Sequence, residues 1–315
     1  MKIGFGVDLG GTTVKLAAFT PEGEMLSKWE IPTVTANRGA QILPDIAASV
    51  LKYCEENNIA KENVLGIGIG VPGPVDGSGV VAACENLGWG RVDVCKVLGD
   101  LTGFAVKAGN DATVAAVGEC WKGGGQGCKN MVMVTLGTGV GGGIVLDGKP
   151  LHGVNGAAGE IGHMVLNRNE TRPCACGKYG CVEQYCSATG IARMAVDFLA
   201  DHQEASTLRN LEKITAKDVF DAANAGDRVA KTILEQAYAY MGEFIANICI
   251  MLNPQQIVIG GGVSKAGQPL IDGIKRHFGR YVYHVSGDAV EFKLATLGND
   301  AGVYGAFKLL LDAGI

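Results

Sequence analysis

Cys174, Cys176 and Cys181 stand as C-x-C-x4-C in a glycine-bearing stretch, and His163 lies eleven positions ahead of the first. Three thiols and an imidazole are the donor set of a closed, four-coordinate Zn2+ site of the structural kind. The plainer alternative is a set of reduced thiols. A second chemistry gathers at Asp8, which ends an apolar run at residues 3–7 and opens Asp8-Leu9-Gly10-Gly11-Thr12-Thr13. A carboxylate there is costly unless it is paired or bound to a metal, and it can hold Mg2+ directly or through water. Leu136-Gly137-Thr138-Gly139-Val140-Gly141 and Gly260-Gly261-Gly262 are two further turns, each following a short apolar run. Glycine amides can wrap a phosphate, so three such turns, two of them carrying threonine hydroxyls, point to a polyphosphate gripped from several sides. Taken singly, each turn could be no more than a tight hairpin.

Two further positions carry chemistry with an alternative attached. Lys15, on the strand after the first turn, either approaches the phosphates or points to solvent. Gly-Asn-Asp-Ala occurs twice, at Gly109-Asn110-Asp111-Ala112 and again at Gly298-Asn299-Asp300-Ala301. An Asp before a helix is most often an N-cap, and spacing alone does not choose between Asp111 and Asp300 as a base. No Gly-Lys-Ser/Thr ending follows the glycine turns, which excludes a P-loop. Two hairpins converging on phosphates suit an actin-like nucleotide cleft instead.

The elements that must position these residues alternate. Strands are expected at residues 3–7, 14–19, 64–71, 105–108, 131–135, 143–146 and 257–259, with hairpins marked by Gly23 and by Asp147-Gly148. Apolar residues near a 3.6 period predict helices over 40–57, 112–121 and 228–252, the last stopped by Asn253-Pro254. Strand–helix alternation implies an α/β architecture. Residues 123–127, Gly-Gly-Gly-Gln-Gly, mark a boundary or flexible loop. Beyond them the opening pattern of strand, glycine turn and strand restarts, a weak internal duplication.

Composition narrows the partners. The chain has 315 residues, 47% hydrophobic, enough for two domains or one large one. A net charge of −5 with no Lys/Arg-rich run argues against nucleic acid. No secretory pattern and no apolar stretch of spanning length are present, so a soluble cytoplasmic protein without membrane partners is expected. The cysteines outside the cluster, Cys249 among them, read as small buried apolar residues.

Leu136-x-x-Gly139-Val140-Gly141-x-Gly143-Ile144, then Gly153, then Gly159-Glu160-Ile161-Gly162-His163, resembles the signature of the ROK family of sugar kinases and repressors. Cys174-Ala-Cys176-Gly177-Lys-Tyr-Gly180-Cys181-Val-Glu183 is similar to that family's zinc element, and Asp8-x-Gly10-Gly11-Thr12 to its opening. The likeness runs nearly the whole chain. It implies an α/β actin-like ATPase, ribonuclease-H-like fold with two domains around an interdomain cleft: residues 1–118 plus 300–315, and 119–299 with the zinc element. It further implies a kinase using ATP and Mg2+ to phosphorylate the 6-hydroxyl of a hexose, glucose first, with Zn2+ as a structural ion.

The resemblance, not the spacing, makes Asp111 the base and leaves Asp300 as a structural cap. It assigns the sugar to Asn86, Asn110, Asp111, Glu160, His163 and Glu183. It assigns the nucleotide to Gly10, Gly11, Thr12, Thr13, Lys15, Gly137, Thr138, Gly139, Gly261 and Gly262, with Mg2+ at Asp8. The zinc ligands are then His163, Cys174, Cys176 and Cys181, with Cys186 excluded. Thr113 departs from the Asn often found there. A homodimer or homotetramer is also implied. Other readings are kinases for N-acetylmannosamine, N-acetylglucosamine or fructose, polyphosphate as donor, and a sugar-sensing regulator. Asp8 lies too near the start to leave room for such a regulator's helix-turn-helix.

Overall fold

The computed structural model describes residues 2–314, and the chain divides into two compact units. The first comprises Met1–Lys129, Gly143–Gly159 and Thr296–Ile315; the second comprises Asn130–Gly142 and Glu160–Ala295. Among the described residues, no helix is long and apolar enough to cross a membrane.

The first unit is built on β1 (Ile3–Leu9), β2 (Thr13–Phe19), β3 (Met25–Pro32), β4 (Val64–Val71) and β7 (Val106–Asn110). They lie in the order β3-β2-β1-β4-β7, with β1–β2–β3 an antiparallel meander and β4 and β7 parallel to β1. A small hairpin of β5 (Val80–Val81) and β6 (Val92–Asp93) stands apart. β1 is buried along nearly its whole length, so both sheet faces must be covered. A single turn, α1 (Ala36–Gly39), leads into α2 (Ile42–Glu56), which packs with α3 (Val94–Thr102) and turns Ile42, Leu43, Ile46 and Val50 into the core with Phe5, Ile67 and Ile69. Val303, Phe307 and Leu310 of α11 (Ala301–Asp312) form a second cluster with Phe19, whose ring stacks on Phe307 at 4.9 Å.

α11 also lies against α4 (Asp111–Lys122) at backbone contact. A Cβ on Gly118 would fall 2.2 Å from the Ala301 carbonyl oxygen, and one on Gly305 1.7 Å from that of Val114. Only glycine at both crossings permits that approach, so any larger residue must separate the two helices.

The second unit centres on β8 (Met131–Leu136), β11 (Gln256–Gly260) and β12 (Glu291–Leu294), all parallel with β11 in the middle. From β8 the chain turns into β9 (Val140–Leu146), which returns to the first unit and pairs there with β10 (Lys149–Pro150). Each unit thus contains a glycine turn after its first strand, as the repeated pattern leads one to expect. A short α5 (Glu183–Cys186) precedes α6 (Ala188–Asp201), α7 (Ala216–Asn224) and α8 (Arg228–Leu252). α9 (Gln268–Phe278) packs on α8, and α10 (His284–Asp288) follows. α8 runs over the residues its periodicity indicates, capped by Asp227 and ended by left-handed Asn253.

Several boundaries differ from expectation. α2 starts at Ile42, and β9 already begins at Val140. α3, α6, α7 and α9 lie outside the expected helices, although Asp93, Ser187 and Thr215 cap the first three. The units divide at Lys129/Asn130 and Ala295/Thr296, with Gly143–Gly159 in the first unit, instead of at 118/119 and 299/300. The physical reason is packing on α4. A Cβ on Gly143 would sit 2.4 Å from that of Ala116, and Glu119 holds the Gly124 amide at 2.8 Å.

Candidate active site and metal knuckle

In the first unit, Asp8 stands opposite Lys15 in the β1–β2 register, and the Lys15 ammonium lies 3.4 Å from Asp8 Oδ2 and 3.5 Å from the Asn299 carbonyl oxygen. Lys15 therefore turns toward the carboxylate. Burial raises the Asp8 pKa above its ordinary value, and the Lys15 charge offsets only part of that. A cation at Asp8 would relieve the penalty. The carboxylate rests on α11, where a Cβ on Gly302 would be 2.5 Å from Asp8 Cγ. The Gly10-Gly11-Thr12-Thr13 turn is closed by the Gly10 amide donating to the Thr13 carbonyl at 3.1 Å. Thr33 clamps it from β3's end, its hydroxyl donating to the Gly10 carbonyl at 2.7 Å. A Cβ on Gly11 would meet nothing within 4 Å, which leaves that backbone open to an approaching anion.

Asp111 is the first residue of α4 and not its cap. Asn110 caps the helix, Oδ1 accepting from the Thr113 amide at 3.0 Å. The Asp111 Oδ1 accepts from the Ala112 amide at 2.8 Å and from Asn110 Nδ2 at 3.1 Å. The same Asn110 nitrogen donates to the Gly73 carbonyl at 3.0 Å. Gly73 in turn abuts Ala83 and Cys84, and the buried Cys84 thiol receives the amides of Asn86 and Leu87 and feels the Asp111 charge. The exposed turn that carries Asn86 is tied through Gly73 to the Asn110–Asp111 corner. Trp89 is buried wall, its indole donating to the Gly39 carbonyl at 3.1 Å. Asp300 corrects the expectation of a capping role. Its side chain makes no cap bond to α11 and instead pairs with Lys28 of β3 at 2.7 Å.

In the second unit, Gly137-Thr138-Gly139 links β8 to β9, with the Gly137 amide donating to the Gly139 carbonyl at 3.0 Å. Gly261, at φ +83°, lies against the end of β8, where a Cβ would be 2.5 Å from the Leu136 carbonyl oxygen. The second and third glycine turns are thus neighbours, and Gly262 faces open space.

His163, Cys174, Cys176 and Cys181 come together, one ligand atom from each lying within 4.8 Å of every other. Cys176 and Cys181 sulfurs are 3.7 Å apart, and Cys174 Sγ is 3.8 Å from His163 Nδ1. A tetrahedron with Zn–S bonds of about 2.3 Å has edges of about 3.8 Å. The donor set fits zinc in kind and in spacing. Burial pushes the Cys181 thiol up to about 12, whereas backbone donation from Lys178 lowers Cys176. Metal binding must therefore expel a proton from Cys181.

Glu183, the first residue of α5, joins this knuckle to the glycine turn. Its Oε2 accepts from the Val140 amide at 3.0 Å, and Cys174 Sγ lies 3.8 Å from Oε1. A Cβ on Gly139 would strike Oε2 at 2.2 Å, so only glycine admits the carboxylate there. Glu160 is exposed at the start of the turn Ile161–His163. Sequence reasoning did not reach the braces behind the knuckle. Gln184 Oε1 accepts from the Cys181 amide at 3.1 Å, and its Nε2 donates to the Arg172 carbonyl at 3.0 Å. Glu170 accepts from the Arg172 amide at 2.9 Å and the Tyr185 hydroxyl at 2.7 Å. Burial pushes Glu170 up, yet these donors hold it down at about 2. The position of Glu170 between two ligands was the one signal available.

The model of the ROK family matches residues 4–313. The chain belongs to the ROK family. It is 48% identical, over 95% of its length and 92% of the relative's, to a glucokinase of Halalkalibacterium halodurans. It is 33% identical to a glucokinase of Thermotoga maritima, over 98% and 96%. Among solved structures it is similar to a ROK family glucokinase from Streptomyces griseus in complex with glucose and AMPPNP. That match has a TM-score of 0.75 and 32% identity, and it covers 98% of each chain. The fold is the actin-like α/β fold of the ROK sugar kinases.

Proposed function

We propose that this ROK chain is an ATP-dependent hexose kinase that phosphorylates the 6-hydroxyl of glucose. The observation that carries the reading is the 48% identity to a glucokinase over nearly the full length of both chains. The site agrees with it. The Asp111 carboxylate, oriented by Asn110 and the Ala112 amide, accepts the hydrogen bond and then the proton of the 6-hydroxyl. Asn86, Asn110, Glu160, His163 and Glu183 hold the other hydroxyls, so that the attacking oxygen is aligned before transfer.

Bound ATP supplies the phosphoryl group, and bound Mg2+ neutralises its charge. Gly10, Gly11, Thr12 and Thr13 with Lys15, and Gly137, Thr138 and Gly139, offer amides, hydroxyls and one ammonium to the phosphates. Asp8 offers its carboxylate to Mg2+, and Gly261 and Gly262 leave backbone open for the nucleoside. Phosphoryl transfer through a loose transition state needs mainly such positioning. His163, Cys174, Cys176 and Cys181 hold Zn2+ as a structural ion that fixes the Glu183 segment. We include in this reading a homodimer or homotetramer, to be read by sedimentation.

A coupled ADP-release assay over glucose, fructose, N-acetylglucosamine and N-acetylmannosamine tests the proposal, with zinc measured on the same sample. Glucose is expected to give the highest kcat/KM. Release of ADP with none of the four, or a tenfold preference for an N-acetylated sugar, overturns it.

A further inference from the structure

The ten cysteines fall into groups with different surroundings. Cys174, Cys176 and Cys181 form the knuckle, and Cys54, Cys84, Cys186 and Cys249 are buried. Cys95 packs under Gly79. Cys120 and Cys128 remain, both half-buried in the first unit, with the Cys120 thiol donating to the Cys128 carbonyl oxygen at 3.5 Å. Their approach follows from the loop between them. The Gly125 amide donates to the Glu119 carbonyl at 3.0 Å, Gln126 to Gly123 at 3.0 Å, and Cys128 to Gly125 at 3.3 Å. Glu119 holds the Gly124 amide as well. These turns fold the loop back on the last turn of α4.

Both thiols line a cavity of about 250 Å3 together with Trp121, Val145, Lys308 and Asp312. A small reagent can therefore reach them. Asp312 is already paired with Lys308, and among the described residues only the knuckle gathers three or more metal-ligating groups. Two facing thiols without a third ligand suit a covalent link better than a metal ion.

We propose that Cys120 and Cys128 form a reversible disulfide site, closed by exchange with a small-molecule disulfide. Cys128 loses its proton to solvent, and its thiolate attacks one sulfur of the reagent, RS–SR. RS⁻ leaves and Cys128–S–SR remains. Cys120 gives its proton to solvent and attacks the Cys128 sulfur, expelling the second RS⁻ and forming Cys120–S–S–Cys128. Two protein thiols are oxidised and one disulfide is reduced to two thiols. The bond needs the sulfurs at about 2.0 Å, and a loop with four glycines in residues 123–127 can supply that small movement. Burial raises both thiols, Cys120 to about 12, so exchange is slow and the equilibrium state is the quantity to read.

The test uses the metal-loaded full chain, equilibrated with oxidised glutathione, alkylated and mapped without reduction. The expected result is one linked peptide pair, Cys120 with Cys128, reversed by dithiothreitol, with the knuckle cysteines still metal-bound. Cys120→Ser is expected to stop at the glutathione adduct of Cys128. Three results overturn the proposal: full alkylation of both residues, an adduct on the unmutated chain that never closes, or a link from either residue to another cysteine. Should the variant fail to fold, mapping of the unmutated chain decides alone. The outcome does not depend on the kinase reading.

Discussion

Replacing Asp111 by Asn separates chemistry from architecture, because the structure lets both effects be sized. Asn presents an Oδ1 that can still accept from the Ala112 amide, now 2.8 Å from the carboxylate oxygen. The cap of α4 is untouched, since Asn110 makes it. What the fold loses is one negative charge at the first helical position, an effect of about 0.3–1 kcal/mol. What the reaction loses is its proton acceptor, an effect of about 10²–10⁴ in rate, or about 3–5 kcal/mol of barrier. The second effect is several times the first. The expected outcome for Asp111→Asn is a kcat at least about a hundredfold lower, with a glucose KM within about threefold and thermal unfolding shifted by no more than about 2–4 °C. Steady-state coupled assays, paired with a melting curve and zinc content of the same preparation, read all of these. A kcat within about fivefold of the unmutated chain would refute the assignment of Asp111 as base. A loss of activity that tracks loss of folded protein would refute the separation of chemistry from architecture at Asp111.

Three further outcomes are expected. Glu119 is fully buried and accepts from the amides of Gly124, Thr296 and Leu297 at 2.8, 3.0 and 2.8 Å; Glu119→Ala should cost about 3–5 kcal/mol in denaturant unfolding, and a cost below about 1 kcal/mol would show that water replaces the carboxylate. Cys176→Ser should release zinc, read by metal analysis, and raise the glucose KM before kcat changes; metal loss with unchanged KM would break the link between knuckle and sugar. Asp227 is pushed up by burial but held down at about 2 by the Ala230 and Thr207 amides and the Ser206 and Thr207 hydroxyls. A depressed folded pKa means the unfolded chain binds more protons in acid, so the stability advantage over Asp227→Asn should be full near neutrality and fade as pH falls from the ordinary aspartate range toward 2. Parallel acid titrations of the two proteins check it, and an advantage that persists unchanged through that range would contradict it.

Legibility in the sequence followed the range of the interaction. α8 is readable because its apolar positions keep one period from Val229 to Leu252 and both ends are punctuated, by Asp227 and Asn253. The knuckle is readable because its three thiols lie within eight residues. Gly-Asn-Asp-Ala shows where local reading stops. In the first copy Asn takes the cap and Asp enters the helix, while in the second the Asp reaches Lys28, 272 positions away. Nothing in the four residues distinguishes the cases. Glu119 is hidden for the same reason, its partners Thr296 and Leu297 lying 177 and 178 positions downstream. The unit boundary at Ala295/Thr296 falls where those long-range bonds begin.

Glu183 joins the knuckle to the glycine turn through the two oxygens of one carboxylate. One carboxylate oxygen is committed to the Val140 amide at the end of the glycine turn, and the other faces the Cys174 sulfur. Burial raises the Cys174 thiol, whose Sγ lies 3.8 Å from Oε1 and equally 3.8 Å from His163 Nδ1. If zinc is held as proposed, Cys174 would be a thiolate with no proton to give, and Oε1 would be open to the proposed sugar's hydroxyl. Zinc bound as proposed would fix the α5 segment and leave Oε1 to a sugar hydroxyl, while Oε2 holds the Val140 amide. The knuckle would then act on the site through the position and partners of one carboxylate, with no reacting group touching the ion.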